Sequence, residues 1–316
     1  MSDHASHART AAAGVNLAIE AATAEVVGAL ADARVQSIVL KGPSLTRWLY
    51  ADTAVRSSTD VDLLVSPHHF ERAETVLSSL GYELLSLEGI PYDRPWNAHA
   101  WHGPRGIDVD LHRALVGVGA PAEEAWQVLR EEVEAAEVGD RRVDAFGPIA
   151  RALHVALHAA QHGVRHEKAF VDLERALETV PMATWQRAAE LAVQVDAVPA
   201  FVAGLTLLPR GAAIVDRLGL PEADSVEAVL LATSPPQTAG GFEWLARVPG
   251  VRAKALFLLR KLFPPAAWLR TWSPLARRGF LGLAVAYVWR PLWLLLHAGP
   301  GMVAWHRARK RARTVV

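Results

Sequence analysis

The sequence predicts an α+β protein: a small mixed sheet with helices, followed by a mainly helical region. Three observations carry that reading. Short apolar runs bounded by Gly, Pro or acidic residues recur early, at Val35–Leu40, Asp60–Val65 and Ile107–Leu111. Helically spaced apolar residues, such as Phe70, Ala73, Leu77 and Leu80, lie between them. From Pro148 onward the apolar periodicity is helical alone.

Residues 11–33 are Ala-rich, and Leu17, Ala21, Ala24, Val27 and Leu30 fall at helical spacing, which predicts a helix packed on the sheet. Val35–Leu40 is the first strand. Pro43 pre-sets the first turn of a short helix over 44–50. Residues 55–59 link it to a strand over 60–65. Ser66-Pro67 then reads as N-cap and first position of a helix that Gly81 ends. Tyr82–Leu87 is a strand. His99–His102 and Ile107–Leu111 form a hairpin around Gly103-Pro104-Arg105-Gly106, and residues 132–138 and 142–146 form another around Gly139-Asp140. Helices follow over 149–160 and 170–177, then near 185–195, 200–208, 212–218 and 226–232. Residues 234–241 (Ser-Pro-Pro-Gln-Thr-Ala-Gly-Gly) read as a linker. The expected organisation is a core at 1–147, a helical region at 148–233 closing over it, and a Trp-rich helical tail at 242–316 with a basic end.

With 316 residues, 51% hydrophobic and 21% charged, the chain reads as globular. A net charge of zero argues against nucleic acid as a general partner. There is no cysteine, so disulfides and thiolate metal sites are excluded. Residues 1–10 lack the pattern of a signal peptide, and a cytoplasmic protein is expected. More than half of the eleven Trp lie from Trp244 onward. The apolar run Phe280–His297, interrupted by Arg290-Pro291 and followed by a basic end, is expected to be packed soluble helix; peripheral contact with anionic lipid and a membrane span are the alternatives.

The chemistry concentrates in Lys41-Gly42-Pro43-Ser44, Arg56 and Asp60-Val61-Asp62. Strand residues two apart share a face, so Asp60 and Asp62 point the same way. Paired carboxylates repel unless a cation sits between them. A turn that opens a helix offers backbone N–H groups to phosphate. Together these point to a metal-bound nucleotide, with Mg²⁺ (or Mn²⁺) on the acids. Asp108 and Asp110 repeat the spacing on a second strand, with His112 beside them. Lys41 is a candidate phosphate contact or an ordinary strand-end lysine. Arg56 binds phosphate or pairs with an aspartate. His112 orients Asp110, lines the acceptor side or makes a structural hydrogen bond. His154, His158 and His162 lie at i, i+4 and i+8, as metal ligands or as a helix face beside the site. The P-loop, nucleophile-elbow and dinucleotide-binding motifs are absent.

Leu40-Lys41-Gly42, Leu49-Tyr50, Arg56, Asp60-x-Asp62-Leu63-Leu64-Val65, Gly81-Tyr82 and Val109-Asp110-Leu111-His112 resemble, in order, bacterial nucleotidyltransferase-like proteins of the DNA polymerase β superfamily. The resemblance is to a group found near lasso-peptide and polysaccharide gene clusters, and its specific part spans residues 38–112. It implies a polymerase-β-like nucleotidyltransferase core and metal-dependent transfer of a nucleoside monophosphate, AMP from ATP, with pyrophosphate leaving. Asp60 and Asp62 match the paired metal ligands and Asp110 the third carboxylate. Gly42 and Ser44 match the triphosphate turn, which Lys41 and Arg56 flank. The acceptor is left open between a small molecule, a natural-product peptide or polysaccharide precursor, and a macromolecule; His112, His158 and Asp172 are expected on its side. A catalytically silent nucleotide- or partner-binding module and an RNA-modifying, toxin-like transferase are the alternatives.

Overall fold

The computed structural model describes residues 2–50, 56, 58–85, 97–221, 226, 229–230, 233, 236 and 238–314. Parts of the expected 55–59 linker, the end of the Tyr82–Leu87 strand and most of the 226–232 helix lie outside the described residues.

A seven-stranded mixed sheet forms the frame. The chain opens with α1 (Ser2–Asp32), β1 (Ser37–Val39), α2 (Pro43–Leu49) and β2 (Asp60–Val65). A 3₁₀ turn at Pro67–His69 leads into α3 (Phe70–Ser79), so the helix begins one turn later than Ser66-Pro67 indicates, and Ser66 makes no side-chain cap. Next come β3 (Glu83–Leu84), β4 (Ala98–His102), β5 (Asp108–His112) and α4 (Ala122–Leu129). The hairpin β6 (Val133–Val138) and β7 (Arg141–Phe146) closes the sheet. The strand order is β3-β4-β5-β2-β1-β7-β6. Neighbours close in sequence pair antiparallel, while β2–β5 and β1–β7 pair parallel.

The α+β expectation therefore holds. One face of the central strands is apolar: Val61, Leu63, Val65, Val109 and Leu111 are fully buried with residues of α1 and α3. The buried stripe of α1 is Ile19, Ala22, Val26 and Leu30, and Leu17 is exposed. In an Ala-rich helix several stripes look apolar, and the large side chains decide which one packs.

Five helices complete this first unit: α5 (Pro148–His162), α6 (Glu167–Thr179), α7 (Met182–Gln194), α8 (Val198–Leu205) and α9 (Pro209–Leu218). α5 is buried on nearly all sides. It crosses α8 so closely that a Cβ at Gly204 would fall on the Ala156 carbonyl oxygen.

Residues from 222 onward belong to a second unit. It contains α10 (Thr238–Arg247), α11 (Val251–Leu262), α12 (Ala266–Trp272), a 3₁₀ turn at Pro274–Arg277 and the 36-residue α13 (Gly279–Thr314). The expected linker is overturned in its last residues, since Thr238–Gly241 begin α10. Ala239 is fully buried near Ala308, and Thr238 Oγ1 donates to the His297 carbonyl at 2.7 Å, which holds that turn in the helix. The C-terminal helix packs on one side only: Ala286 and Ala308 are buried, but only 11% of the apolar stretch of α13 is, against 39% for that of α1.

Gly204→Ala is expected to cost about 3 kcal/mol, because the new methyl meets backbone and the crossing cannot relax around it. Urea unfolding measures this, and a change within about 0.5 kcal/mol would mean that α5 and α8 separate freely.

Candidate functional site

β2 and β5 build the site. Asp-x-Asp opens both strands, and the residues between the acids face the core. The parallel register sets Asp60 against Asp108, Asp62 against Asp110 and Leu64 against His112. In-register parallel strands send partnered side chains to the same side, so four carboxylates share one face of the sheet.

Their surroundings differ. Asp62 is buried, and its Oδ1 accepts from Lys41 Nζ at 2.9 Å and lies 3.3 Å from His112 Nε2. Burial alone would raise its pKa, but Lys41 and His112 outweigh burial and hold the carboxyl well below the usual range. Asp110 is half-buried, and none of the described residues hydrogen-bonds its carboxylate. Burial, and then the charge of Asp62, raise its pKa. Asp60 accepts from Thr59 Oγ1 at 3.0 Å. Asp108 turns to His102 Nδ1 at 2.7 Å across the hairpin, which leaves Asp110 as the inner acid of the second pair.

The ligand atoms of Asp62, Asp110 and His112 lie within 4.8 Å of one another. Two carboxylates and an imidazole this close together could hold a divalent cation, which would relieve the repulsion between the acids.

The turn after β1 is built tightly. Gly42 has φ +65°, a conformation that favours glycine, and Pro43 takes the first position of α2. Ser44 is buried, and its Oγ accepts from Arg151 Nε at 3.1 Å and Nη2 at 2.7 Å. Arg151 Nη2 also pairs with Glu134 at 2.7 Å. The Ser44 oxygen is thus engaged by the protein itself.

Arg56 and Asp172, expected on the nucleotide and the acceptor sides, engage each other. Arg56 Nε and Nη2 reach Asp172 Oδ1 and Oδ2, each at 2.8 Å, and the Tyr50 hydroxyl donates to Oδ1 at 2.7 Å. Asp172 is 1% exposed, and its two oxygens tie α6 to Arg56 and Tyr50. Burial, then Asp172, push the Tyr50 phenol above its ordinary range.

His158 belongs to a row of rings that begins beside Lys41 and Asp62. Ring centroids are 6.1 Å apart for His154 and His158, 4.6 Å for His158 and His162, and 4.5 Å for His162 and His166. Burial, and then Lys41, lower His154 to about 3. His158 is lowered well below its ordinary value for the same reasons, and His162 falls to about 4 through burial and then His166. These three rings are neutral near pH 7. Among the described residues they form no metal-holding group.

Two cations escaped the sequence reading. Lys168 on α6 is half-buried; burial, and then Arg56, lower its pKa, while the charges of Asp60 and Asp172 act against this. Nothing in its sequence position marks it. Arg151 did leave a signal, as the one Lys or Arg in the apolar helix α5, a pattern that asks for a buried partner.

A family described as an uncharacterised nucleotidyltransferase matches residues 1–210. No curated protein matches the sequence. Three solved structures are similar at low identity. The antibiotic-resistance factor ANT(2'')-Ia is 13% identical, with a TM-score of 0.39 over 59% of this chain and 95% of its own. The lincosamide antibiotic adenylyltransferase LnuA, bound to lincomycin, is 14% identical, with a TM-score of 0.33 over 50% of this chain and 94% of its own. An antigenic nucleotidyltransferase-like protein from Paracoccidioides brasiliensis is also 14% identical, with a TM-score of 0.33 over 59% and 91%.

Two stability effects are expected. Arg56→Ala or Asp172→Ala should each cost about 3–5 kcal/mol by stranding a buried charge, while replacing both by apolar residues should recover most of the loss. Urea midpoints of the single and double variants check this. His154, shifted from 6.5 to about 3, binds its proton in the unfolded chain long before the folded one. Its contribution is therefore full above the unfolded pKa and is lost as pH falls toward the folded one, at about 1.4 kcal/mol per pH unit for one group. His154→Asn should make the pH dependence of the unfolding midpoint shallower over that window.

Proposed function

The chain belongs to this nucleotidyltransferase family, and from that premise we propose that it moves AMP from ATP to an acceptor bearing a hydroxyl, phosphate or carboxylate. The observation that carries the reading is the parallel pairing of Asp60-Val61-Asp62 with Asp108-Val109-Asp110. It gathers oxygen donors from two strands on one face, beside Lys41.

In the proposed reaction an acceptor oxygen forms a bond to the α-phosphorus. The bond from that phosphorus to the oxygen bridging the β-phosphate breaks, and pyrophosphate leaves. The acceptor proton passes to Asp110, the carboxylate that neither Lys41 nor His112 holds, whose proton affinity burial and Asp62 raise. A divalent cation would be held by Asp60, Asp62 and Asp110 and would offset the charge of the triphosphate. Lys41 and His112 fix the position of Asp62. Lys41 and Lys168 offer ammonium groups to the phosphates, and Gly42 lets the backbone turn beside them. Arg56 and Asp172 act as positioning residues through their pair. The rings of His158 and His162, kept neutral near pH 7, give the acceptor an aromatic wall that adds no positive charge.

One observation favours the second reading, a nucleotide-binding module without turnover: Ser44 and Arg56, expected on the phosphates, are held by Arg151 and Asp172. Calorimetry with ATP and Mg²⁺ separates the two, since a module binds and releases no pyrophosphate.

Asp60→Asn, Asp62→Asn and Asp110→Asn are each expected to lower transfer at least about a hundredfold. The assay is pyrophosphate release and label transfer from α-labelled NTPs with Mg²⁺ or Mn²⁺, across panels of small hydroxylated acceptors and peptides. Chelation should stop the reaction and added metal restore it. Silence with every nucleotide and acceptor, alongside intact ATP binding, would return the protein to the second reading.

A further inference from the structure

We propose that the C-terminal unit is a membrane-docking module whose long helix α13 lies in the plane of an anionic bilayer surface. Three independent observations meet here.

The first is exposure. Phe280, Leu281, Val288, Leu292, Leu295 and Leu296 are 49–83% exposed. At 100° per residue they fall on one half of the helix. The other half packs on α10, α12 and the Pro274–Arg277 turn, through Ala286, Arg290 and Ala308. A continuous apolar stripe of this length is an interaction surface.

The second is the placement of Arg290, the only Lys or Arg between Gly279 and Trp305. Its guanidinium sits 4.8, 4.6 and 5.1 Å from the ring centroids of Trp268, Trp272 and Trp293, and the residue is buried. Planar cation against π-face offsets part of the cost of burying this charge inside the unit, where Nε has no hydrogen-bond partner among the described residues. The outward half is left without a charge along the whole apolar run.

The third is charge segregation. From Ala239 to Val316 the chain has fourteen Lys and Arg and one acidic side chain, Glu243, although its total net charge is zero. Glu243 is already engaged by Arg247 and by Trp305 Nε1. Arg277 and Arg278 precede α13, and Arg307, Arg309, Lys310 and Arg311 lie in its last turns. Cations at both ends of an apolar stripe match anionic headgroups around an acyl surface. A second copy of the chain would bring the same cations face to face. RNA would leave the aliphatic stripe uncovered.

The helix lies on the surface and does not cross it. At 36 residues it is about 54 Å long, well beyond the roughly 30 Å hydrocarbon core. Its inward half packs against a segment that exposes Arg270, Arg277 and Arg278. A span would carry these into hydrocarbon.

Flotation of the full-length protein with phosphatidylcholine vesicles, with and without phosphatidylglycerol, tests the proposal. The expected result is co-flotation with the anionic vesicles and far less with the neutral ones, with alkaline carbonate stripping the protein. The exposed-face variant Val288→Glu/Leu292→Glu/Leu295→Glu should lose binding. The variant Arg307→Glu/Arg309→Glu/Lys310→Glu should bind roughly tenfold or more weakly. All six side chains lie outside the catalytic machinery, and circular dichroism confirms that the variants fold. Four outcomes would overturn the proposal: no flotation on either vesicle; resistance to carbonate, which means a span; salt-sensitive RNA binding without vesicle binding; or a dimer that the exposed-face variant dissolves while vesicle binding is absent.

Discussion

The architecture around the site answers one electrostatic problem, the repulsion among carboxylates that two parallel strands set side by side. Asp62 is stabilised by the Lys41 ammonium and the His112 ring on the same oxygen. Asp110 has no such partner and responds by holding its proton more tightly. The inequality is useful. Two identical acids in identical settings would share one behaviour, whereas here their proton affinities are pushed in opposite directions. The sheet register creates the repulsion, and the turn after β1 supplies the cation that tames half of it.

The next shell keeps that arrangement from acquiring stray charge. Arg56 lies close enough to influence the site, and Asp172 neutralises it within a buried joint that also ties Tyr50 down. The Arg151 guanidinium is balanced by Glu134 while it holds Ser44. His154 and His158 of α5 stay neutral because loss of solvent and the charge of Lys41 both lower their pKa. Among the described residues, Lys41 and Lys168 are the ammonium groups whose charge acts on the site's carboxylates.

Much of this was legible in the sequence. The two Asp-x-Asp strands, the hairpin that carries the second and the glycine turn were visible from local spacing alone. The pairing of β2 with β5 was not, because a parallel seam between distant strands leaves no local pattern. The Arg56–Asp172 joint joins residues 116 positions apart. From sequence Arg56 read as a phosphate contact or the partner of an aspartate and Asp172 as an acceptor-side residue, and nothing local marked them as each other's partner. α4 is only eight residues long and was passed over, although Gly117, Gly119 and Pro121 precede it and Glu123 and Glu124 fill its first turn. The stripe of α1 was read in part, with Ala24 and Leu30 buried and Leu17 and Ala21 exposed, because alanine does not distinguish one helix face from another. At α13 hydropathy could say that the run was apolar, but only the packing could say which half stays open.

The strand order also has a consequence for how the molecule comes together. β1–β2, β4–β5 and β6–β7 are antiparallel pairs of strands that follow one another along the chain, and each can close early. The two parallel seams, β2–β5 and β1–β7, need those pairs to find one another across long loops, and closing such loops is entropically slow. His112 and Asp62 are fifty residues apart, on opposite sides of one of these seams. The carboxylate cluster therefore comes into being when the pieces dock and not while any single piece forms. A nascent chain that has emerged only as far as β4 carries Asp60 and Asp62 but no second strand to face them. It holds half of the carboxylate cluster, and the other half arrives with the finished sheet.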